Sequence, residues 1–180
     1  TYAADLVSRD IVAEPSAGTG NIAAMAVSVR SNLKGLILNE FNDRRAGLLG
    51  SIDFGVPTSL HIEDAGHLND ILPKDEVPTV VLMNPPFSAT AGRMEGTRSN
   101  QVGMSHVEQA LKRLERGGRL VALVGQGLAS DKPASKAFWE RIKKSYTVRA
   151  NIGLSGESYR KFGTTFDNQL LVIDKHGPHT

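Results

Sequence analysis

The sequence predicts an α/β fold, a three-layer α/β/α sandwich around a mostly parallel sheet of seven strands. Three observations support this class. Apolar runs typical of buried strands alternate with helical patterns, a glycine turn joins the first strand to the first helix, and the last two apolar runs leave no room for a crossover helix. We therefore expect an antiparallel C-terminal hairpin, within a single domain that spans residues 1–180.

Each of the seven strands is predicted from a short apolar run bounded by turn residues. The predicted strands are Ile11–Glu14, Gly35–Asn39, Ser59–Ile62, Val80–Met83, Leu120–Val124, Val148–Leu154 and Gln169–Asp174.

The predicted helices lie between these strands and follow a period of about 3.6 residues. They are Asn21–Arg30, Asn42–Leu49, Ser105–Arg116 and Pro133–Ser145. Proline at the start of the last one suits the first turn of a helix. The intervening stretch Ser88–Gly103 shows no period, and we expect a long loop there, either a functional lid or a solvated loop.

Composition excludes several classes of protein. The absence of Cys leaves no disulfide framework and no thiolate metal site. No apolar run approaches the roughly 20 residues of a membrane span, and no signal peptide is present, so we expect a cytoplasmic protein. A net charge of +2 permits nucleic acid binding without requiring it. Because the chain begins at Thr1 rather than Met, we expect it to be a fragment of a longer protein.

The histidines show no ligand spacing, so no metal is expected. We interpret all five as structural or exposed residues: His61, His67, His106, His176 and His179.

A glycine turn follows the first strand, in the segment Glu14-Pro15-Ser16-Ala17-Gly18-Thr19-Gly20. Glycines let the backbone approach a ligand closely, and the N-terminus of the following helix adds a partial positive charge. The pattern Gly18-x-Gly20 also fits a dinucleotide fingerprint, with Glu40 as the acidic residue about 20 positions on. The glycine pattern alone therefore leaves a nicotinamide enzyme open.

Glu40 and a second acidic residue, Asp64, lie at successive strand ends, where both can contact one ligand. Glu40 ends the second strand and Asp64 follows the third. Glu40 is placed to accept hydrogen bonds from two ribose hydroxyls and Asp64 from an adenine amino group, while Phe41 can lie against the adenine ring.

The segment Asn84-Pro85-Pro86-Phe87 follows the fourth strand. The side-chain oxygen of Asn84 and the carbonyl of Pro85 can accept hydrogen bonds from a planar NH2 group, and the Phe87 ring can stack on the base that carries it. Prolines hold these acceptors in place because they fix φ. A nicotinamide-dependent enzyme would give this segment no role. An enzyme that binds a methyl donor beside a substrate amino group, to which the methyl is transferred, explains the segment.

In these motifs, their order and their spacing, the chain resembles the class I S-adenosylmethionine-dependent methyltransferases, and among them the adenine-N6 DNA type. The resemblance covers nearly the whole chain. It implies a Rossmann-like fold, S-adenosylmethionine as the cofactor, DNA as the substrate and no metal. It also implies catalytic roles for the four residues Asn84 to Phe87, and cofactor contacts from Glu14, Pro15, Ser16, Ala17, Gly18, Gly20, Glu40, Phe41, Asp64, Ala65 and Asn84.

A narrower resemblance is to the methyltransferase segment found beside strawberry-notch-like helicases of phages and plasmids. It lies in three segments, Val80–Ala89, Gly117–Leu120 and Gly163–Thr165, and implies a fused or associated helicase. Compared with the family pattern, we expect the segment before Ile11 to be too short for the whole Phe-containing N-terminal helix, and the given sequence to lack a target-recognition domain. We therefore expect sequence specificity to come from short loops or from parts of a longer protein, or to be loose.

Substrate contacts are expected from residues beside the acceptor site. Arg93 and Arg98 follow Phe87 and are suited to phosphates, and Tyr159 and Thr164 lie between the last two strands. We interpret a further basic group as a solvated face: Lys143, Lys144, Arg149, Arg160 and Lys161.

Three classes of function stay open. The first is an amino-methyltransferase acting on adenine in DNA, with an RNA base or a protein glutamine amide as other planar acceptors. The second is a non-catalytic module that binds S-adenosylmethionine and is attached to a helicase. The third is a nicotinamide-dependent enzyme.

Overall fold

The computed structural model describes residues 1–85, 96–157 and 167–177, with only the backbone of residues 96–100. Within these ranges, seven strands form one sheet in the order β3-β2-β1-β4-β5-β7-β6. Their bounds are β1 Ile11–Glu14, β2 Gly35–Asn39, β3 Thr58–His61, β4 Val80–Met83, β5 Arg119–Gly125, β6 Thr147–Leu154 and β7 Asn168–Asp174.

The first five strands are parallel, and β7 runs antiparallel to both β5 and β6. Strand β1 pairs with β2 on one side and β4 on the other. The chain therefore reverses its direction of travel across the sheet at β1 and β4, which is where ligands bind in open α/β sheets. The predicted fold class, including the antiparallel hairpin, is confirmed.

Five α-helices lie in the described residues, with bounds α1 Asn21–Val29, α2 Asp43–Gly50, α3 Leu68–Ile71, α4 Gly96–Arg113 and α5 Lys136–Ser145. Helix α2 begins after Asn42, whose side chain accepts a hydrogen bond from the Arg45 N–H at 3.0 Å. This is the capping role for which asparagine is favoured. In the part of the chain that the structure describes, no helix is long and apolar enough to cross a membrane.

Two apolar layers sandwich the sheet because the buried strands point alternate residues to opposite faces. Ala13, Ile37 and Val81 pack into the layer that contains α4 and α5. Val12 and Leu36 pack into the layer that contains α1. Parallel strands covered on both faces are apolar throughout, which is why these runs were visible in the sequence.

Two predictions about the helices were wrong, and one helix was not predicted. The expected loop Ser88–Gly103 is helical from Gly96 onward, so α4 starts nine residues before the predicted Ser105 and ends at Arg113. Its first turns are polar and give no apolar period to detect. The predicted start of the last helix at Pro133 is a 3-10 turn, Pro133–Ser135, that precedes α5. Helix α3 is too short for its period to be read from the sequence.

Candidate functional site

A cavity of about 640 Å³ opens at the carboxyl ends of β1, β2 and β4. Cavities of this size accommodate ligands of cofactor dimensions. Its wall contains most of the residues predicted to bind a cofactor: Glu14, Pro15, Ser16, Ala17, Gly18, Glu40, Phe41, Asp64, Ala65 and Asn84. Gly20 does not line the cavity, but it shapes the turn that does.

The glycine turn is held in a conformation that requires glycine. Gly18 and Gly20 have φ angles of +56° and +84°, and Gly20 caps the N-terminus of α1. A Cβ atom on Gly20 would lie 2.8 Å from Leu49 Cδ1 and 3.0 Å from Phe54 Cζ. The turn thus packs tightly on its inner side, and this fixes the wall of the cavity.

The ends of three strands are tied together by Asn39, which is 1% exposed. Its Nδ2 donates to the Pro15 and Glu63 carbonyls, both at 2.9 Å, and its Oδ1 accepts from the Glu63 N–H at 3.0 Å. The Asn39 carbonyl also accepts from the Ala17 N–H at 2.8 Å. Asn39 therefore fixes the glycine turn against the segment that carries Asp64, a role that sequence reasoning missed.

Glu40 is nearly saturated with hydrogen bonds on one carboxylate oxygen. Its Oε1 accepts from the Asn42 N–H at 2.9 Å, and from Arg45 Nε and Nη2 at 3.0 and 2.7 Å. Its Oε2 accepts from the Gly18 N–H at 2.8 Å. Burial alone would raise the pKa of Glu40, but these hydrogen bonds and the Arg45 charge lower it overall. Glu40 is thus an oriented carboxylate with its remaining acceptor capacity mainly on Oε2.

Glu14 is a second carboxyl group in the same wall and is 2% exposed. Its Oε2 accepts from the Ala23 N–H at 2.9 Å in the first turn of α1. Burial raises the pKa of Glu14 to about 8, against the effect of the Ala23 hydrogen bond, and the nearby Glu40 charge adds to the rise. Glu14 is therefore protonated at neutral pH when no cation lies beside it.

Asp64 and Phe41 lie on the far side of the cavity. Asp64 caps a 3-10 turn, where its Oδ1 accepts from the Gly66 N–H at 2.8 Å. The Phe41 ring is 71% exposed, which leaves its face free to contact a planar group. Both residues line the cavity, and their contacts to an adenine base stay predictions.

Asn84 reaches the cavity from the end of β4 and is exposed, whereas Pro85 is buried. Pro86, Phe87, Arg93, Tyr159 and Thr164 lie outside the described residues, so their predicted roles stay predictions. Arg98 lies in α4, and nothing is described of its side chain.

Sequence reasoning treated two cavity residues as unremarkable. Arg45 pairs with Glu40, and His106, interpreted as structural or exposed, is buried in the cavity wall. Arg149, placed on a solvated face, donates from Nε to Asp174 Oδ2 at 2.8 Å. Of these three residues, only Arg45 could have been recognised from the sequence. It follows Glu40 by five residues in a strand-to-helix turn, where the two side chains can meet.

Among the described residues, no group of three or more His, Cys, Asp and Glu side chains is arranged to hold a metal ion. The polar side chains around the cavity are instead carboxylates and amides that are spaced along its wall. This arrangement suits a large organic ligand with several polar groups.

No family model matches the chain. The chain is 26% identical over 189 residues to the type II restriction enzyme and methyltransferase RM.BcgI of Heyndrickxia coagulans, an alignment that covers 93% of this chain. It spans only 28% of the length of that relative.

Two solved structures share the fold. One, from Listeria monocytogenes, is named as a class I S-adenosylmethionine-dependent methyltransferase; it superposes with a TM-score of 0.71 at 15% identity, over 94% of this chain and 55% of that one. The other is the M protein of the type I restriction enzyme EcoKI, with a TM-score of 0.71 at 16% identity, over 96% of this chain and 41% of that one.

The fold of this chain is therefore that of the class I S-adenosylmethionine-dependent methyltransferases. Its polar cavity lies at the sheet edge where open α/β sheets in general bind ligands. The similarity of the chain extends to methyltransferases of restriction-modification systems.

Proposed function

We propose that this chain binds S-adenosylmethionine and transfers its methyl group to an exocyclic amino group, N6 of adenine in DNA being the favoured acceptor. The observation that carries the proposal is the convergence of Gly18, Glu40, Asp64 and Asn84 on one cavity at the switch point of the sheet. The name of RM.BcgI, a restriction enzyme and methyltransferase, favours DNA.

The cavity wall offers contacts to the ribose, to the adenine and to the rest of this cofactor. Glu40 Oε2 has capacity to accept from a ribose hydroxyl, Asp64 can accept from the adenine amino group, and Phe41 offers an exposed ring to the base. The narrow glycine turn lets the backbone lie against the rest of the molecule. When bound, the cofactor supplies a methyl group made electrophilic by a sulfonium.

The protein must then hold and polarise the acceptor. The lone pair of an aromatic amine is delocalised, so it is a poor nucleophile. Hydrogen bonds from the amino hydrogens to Asn84 Oδ1 and the Pro85 carbonyl would favour a pyramidal nitrogen and stabilise the positive charge that develops on it. Neither group need act as a base, because the proton can leave after transfer. Stacking on Phe87 would offset part of the cost of flipping a base out of a duplex.

The acceptor is the open part of the proposal. An RNA base or a protein glutamine amide also presents a planar NH2 group, and each would satisfy Asn84 and Pro85 equally well. A non-catalytic cofactor-binding module attached to a helicase is the alternative from another class. It is distinguished by cofactor binding without turnover.

The first test is transfer of tritiated methyl groups from S-adenosylmethionine to unmethylated DNA, with RNA and protein extract in parallel. Labelled N6-methyladenine in DNA would support the favoured acceptor, and label in RNA or protein would replace it. Calorimetric binding of the cofactor without any labelled acceptor would support the non-catalytic module. Absence of both binding and transfer would contradict the proposal.

Two substitutions separate the two halves of the site. Asn84→Ala should lower the rate of transfer on the order of 100-fold, because it removes a preorganised acceptor, and should weaken cofactor binding less than the Glu40 variant does, because Asn84 is only one of several residues that line the cavity. Glu40→Gln should weaken cofactor binding about tenfold or more, because it removes the charged acceptor of the ribose hydroxyls.

Controls come from residues of the same types outside the cavity. Asn32→Ala and Glu140→Ala alter exposed side chains and should change neither quantity. Retained transfer by the Asn84 variant would exclude the polarising role, and unchanged affinity in the Glu40 variant would exclude the ribose contact.

A further inference from the structure

His106 is the buried side chain of the cavity wall whose role the proposed function leaves unexplained. It projects from α4, is 8% exposed and lines the same cavity as Asp64. Its Nδ1 is buried without a hydrogen-bond partner among the described residues. A buried polar atom without a partner costs free energy, so its retention in a ligand cavity calls for an explanation.

Asp64 and His106 lie next to each other on this wall. A Cβ atom placed on Gly66 would be 3.1 Å from Asp64 Oδ1 and 3.8 Å from His106 Nε2, so both atoms lie within 4 Å of one point. Asp64 comes from the loop after β3 and His106 from α4. Two polar atoms from distant parts of the chain thus approach the same spot on the cavity wall.

The surroundings of His106 favour the neutral imidazole. Burial lowers the pKa of His106, and the neighbouring Asp64 charge opposes that shift without reversing it. A neutral ring carries one proton, either on Nδ1 or on Nε2. The Asp64 carboxylate favours the proton on Nε2, because an N–H dipole pointing toward a negative charge is stabilised. Nδ1 is then an unpaired acceptor, which proteins tolerate more readily than a buried unpaired N–H.

We propose that His106 and Asp64 together recognise the base of the cofactor, with Asp64 as the acceptor and His106 Nε2 as the donor; this inference rests on the proposed function. Adenine presents an amino donor beside a ring nitrogen acceptor, which matches this pair. Hypoxanthine presents a carbonyl acceptor beside an N–H donor, so both contacts would be mismatched. His106 is thereby a specificity-determining residue for the adenosyl group.

The test measures calorimetric binding of S-adenosylhomocysteine and S-inosylhomocysteine to the full chain. Wild type should prefer the adenosyl compound, and His106→Leu should reduce that preference about tenfold, the worth of one hydrogen bond to the base. His106→Gln places an amide N–H near the position of Nε2 and should keep the preference. His106→Asn places its amide near Nδ1 and should lose it.

Two controls keep the outcomes distinct. His176→Leu alters an exposed histidine away from the cavity and should bind both compounds as wild type does. If circular dichroism shows that His106→Leu does not fold, the difference in adenosyl preference between His106→Gln and His106→Asn tests the role of His106.

An unchanged preference in folded Leu and Asn variants would overturn the role of His106 and leave the proposed function standing. Failure of the wild type to bind either compound would overturn both the role of His106 and the proposed function.

Discussion

The two edges of the sheet both bury polar side chains, but they use them differently. At the amino edge, the buried carboxylates Asp10 and Asp174 of the described residues are both matched by protein partners. Asp174 accepts from Arg119 Nε and Nη2 at 2.7 and 3.0 Å and from Arg149 Nε at 2.8 Å. Asp10 accepts from the Thr79 hydroxyl at 2.8 Å and from the Val7 N–H at 2.7 Å.

At the carboxyl edge, Asn39 is fully hydrogen-bonded, but several other polar groups keep unused capacity. Glu14 is buried beside a second carboxyl group, Glu40 has capacity left on Oε2, and His106 Nδ1 has no hydrogen-bond partner in the described part of the chain. Buried polar groups with unused capacity are costly, so their grouping around one cavity indicates a binding site there, whereas the matched network at the other edge indicates a structural role. The side-chain amide of Asn151 also lacks a partner among the described residues, but it lies in the middle of β6 and lines neither cavity. The presence of a cavity does not distinguish the edges, because the amino edge also has one.

The largest expected effect concerns Glu14 and the pH dependence of stability. Its folded pKa of about 8 lies above its ordinary value of 4.5, so the folded chain holds a proton that the unfolded chain releases. Stability from this group is full below about pH 4.5 and is lost as the pH rises to about 8. At about 1.4 kcal/mol per pH unit, the loss is on the order of 5 kcal/mol.

Glu14→Gln keeps a side-chain oxygen for the Ala23 N–H and cannot titrate. Urea unfolding from pH 5 to pH 9 should therefore show wild type losing stability relative to this variant as the pH rises. Parallel stability curves would mean that Glu14 is ionised in the folded chain. Glu14 would then no longer support the contrast between the two edges.

The second prediction breaks the matched network at the amino edge. Asp174→Asn should lower the free energy of unfolding by about 2 kcal/mol, because two guanidinium groups lose their buried counter-charge. The Arg119 and Arg149 bonds hold the pKa of Asp174 below its ordinary value against the effect of burial. Its contribution is therefore present above about pH 3.8 and is lost as the pH falls, so the difference from wild type should shrink in acid.

Denaturant unfolding at pH 7 and pH 3 measures this difference, with the exposed Asp131→Asn as the control. Cofactor affinity of the folded Asp174 variant should equal that of wild type. A loss of affinity would show that the amino edge is coupled to the cavity.

The smallest expected effect concerns Arg45. Its guanidinium, with a side chain 55% exposed, occupies the Glu40 oxygen that a second ribose hydroxyl would need. Arg45→Met should therefore tighten binding of S-adenosylhomocysteine about threefold, since the Asn42 and Gly18 N–H groups still orient Glu40. Calorimetry on this variant and on the exposed neighbour Arg44→Met measures the effect. Weaker binding would mean that Arg45 orients the carboxylate rather than competing for it.

The apolar pattern was sufficient to predict the strands, since β1, β2 and β4 have the predicted bounds and the other four differ by at most one residue at each end. It was insufficient for the start of α4, where Thr97 and the following polar residues form helix without an apolar stripe. The cavity-lining motifs were also predictable, because each follows directly after a strand or turn that the pattern locates.

The sequence by itself determined the fold class, the sheet edge that carries the cavity and the carboxylates that line it, because these follow from local patterns and from the polarity of parallel strands. Only the tertiary structure decided which polar groups are satisfied. Asn39 meets Glu63 across 24 residues, Arg119 meets Asp174 across 55, and His106 approaches Asp64 only when α4 packs on the sheet. Hydrogen bonding and desolvation depend on such distant neighbours, and no local pattern encodes them.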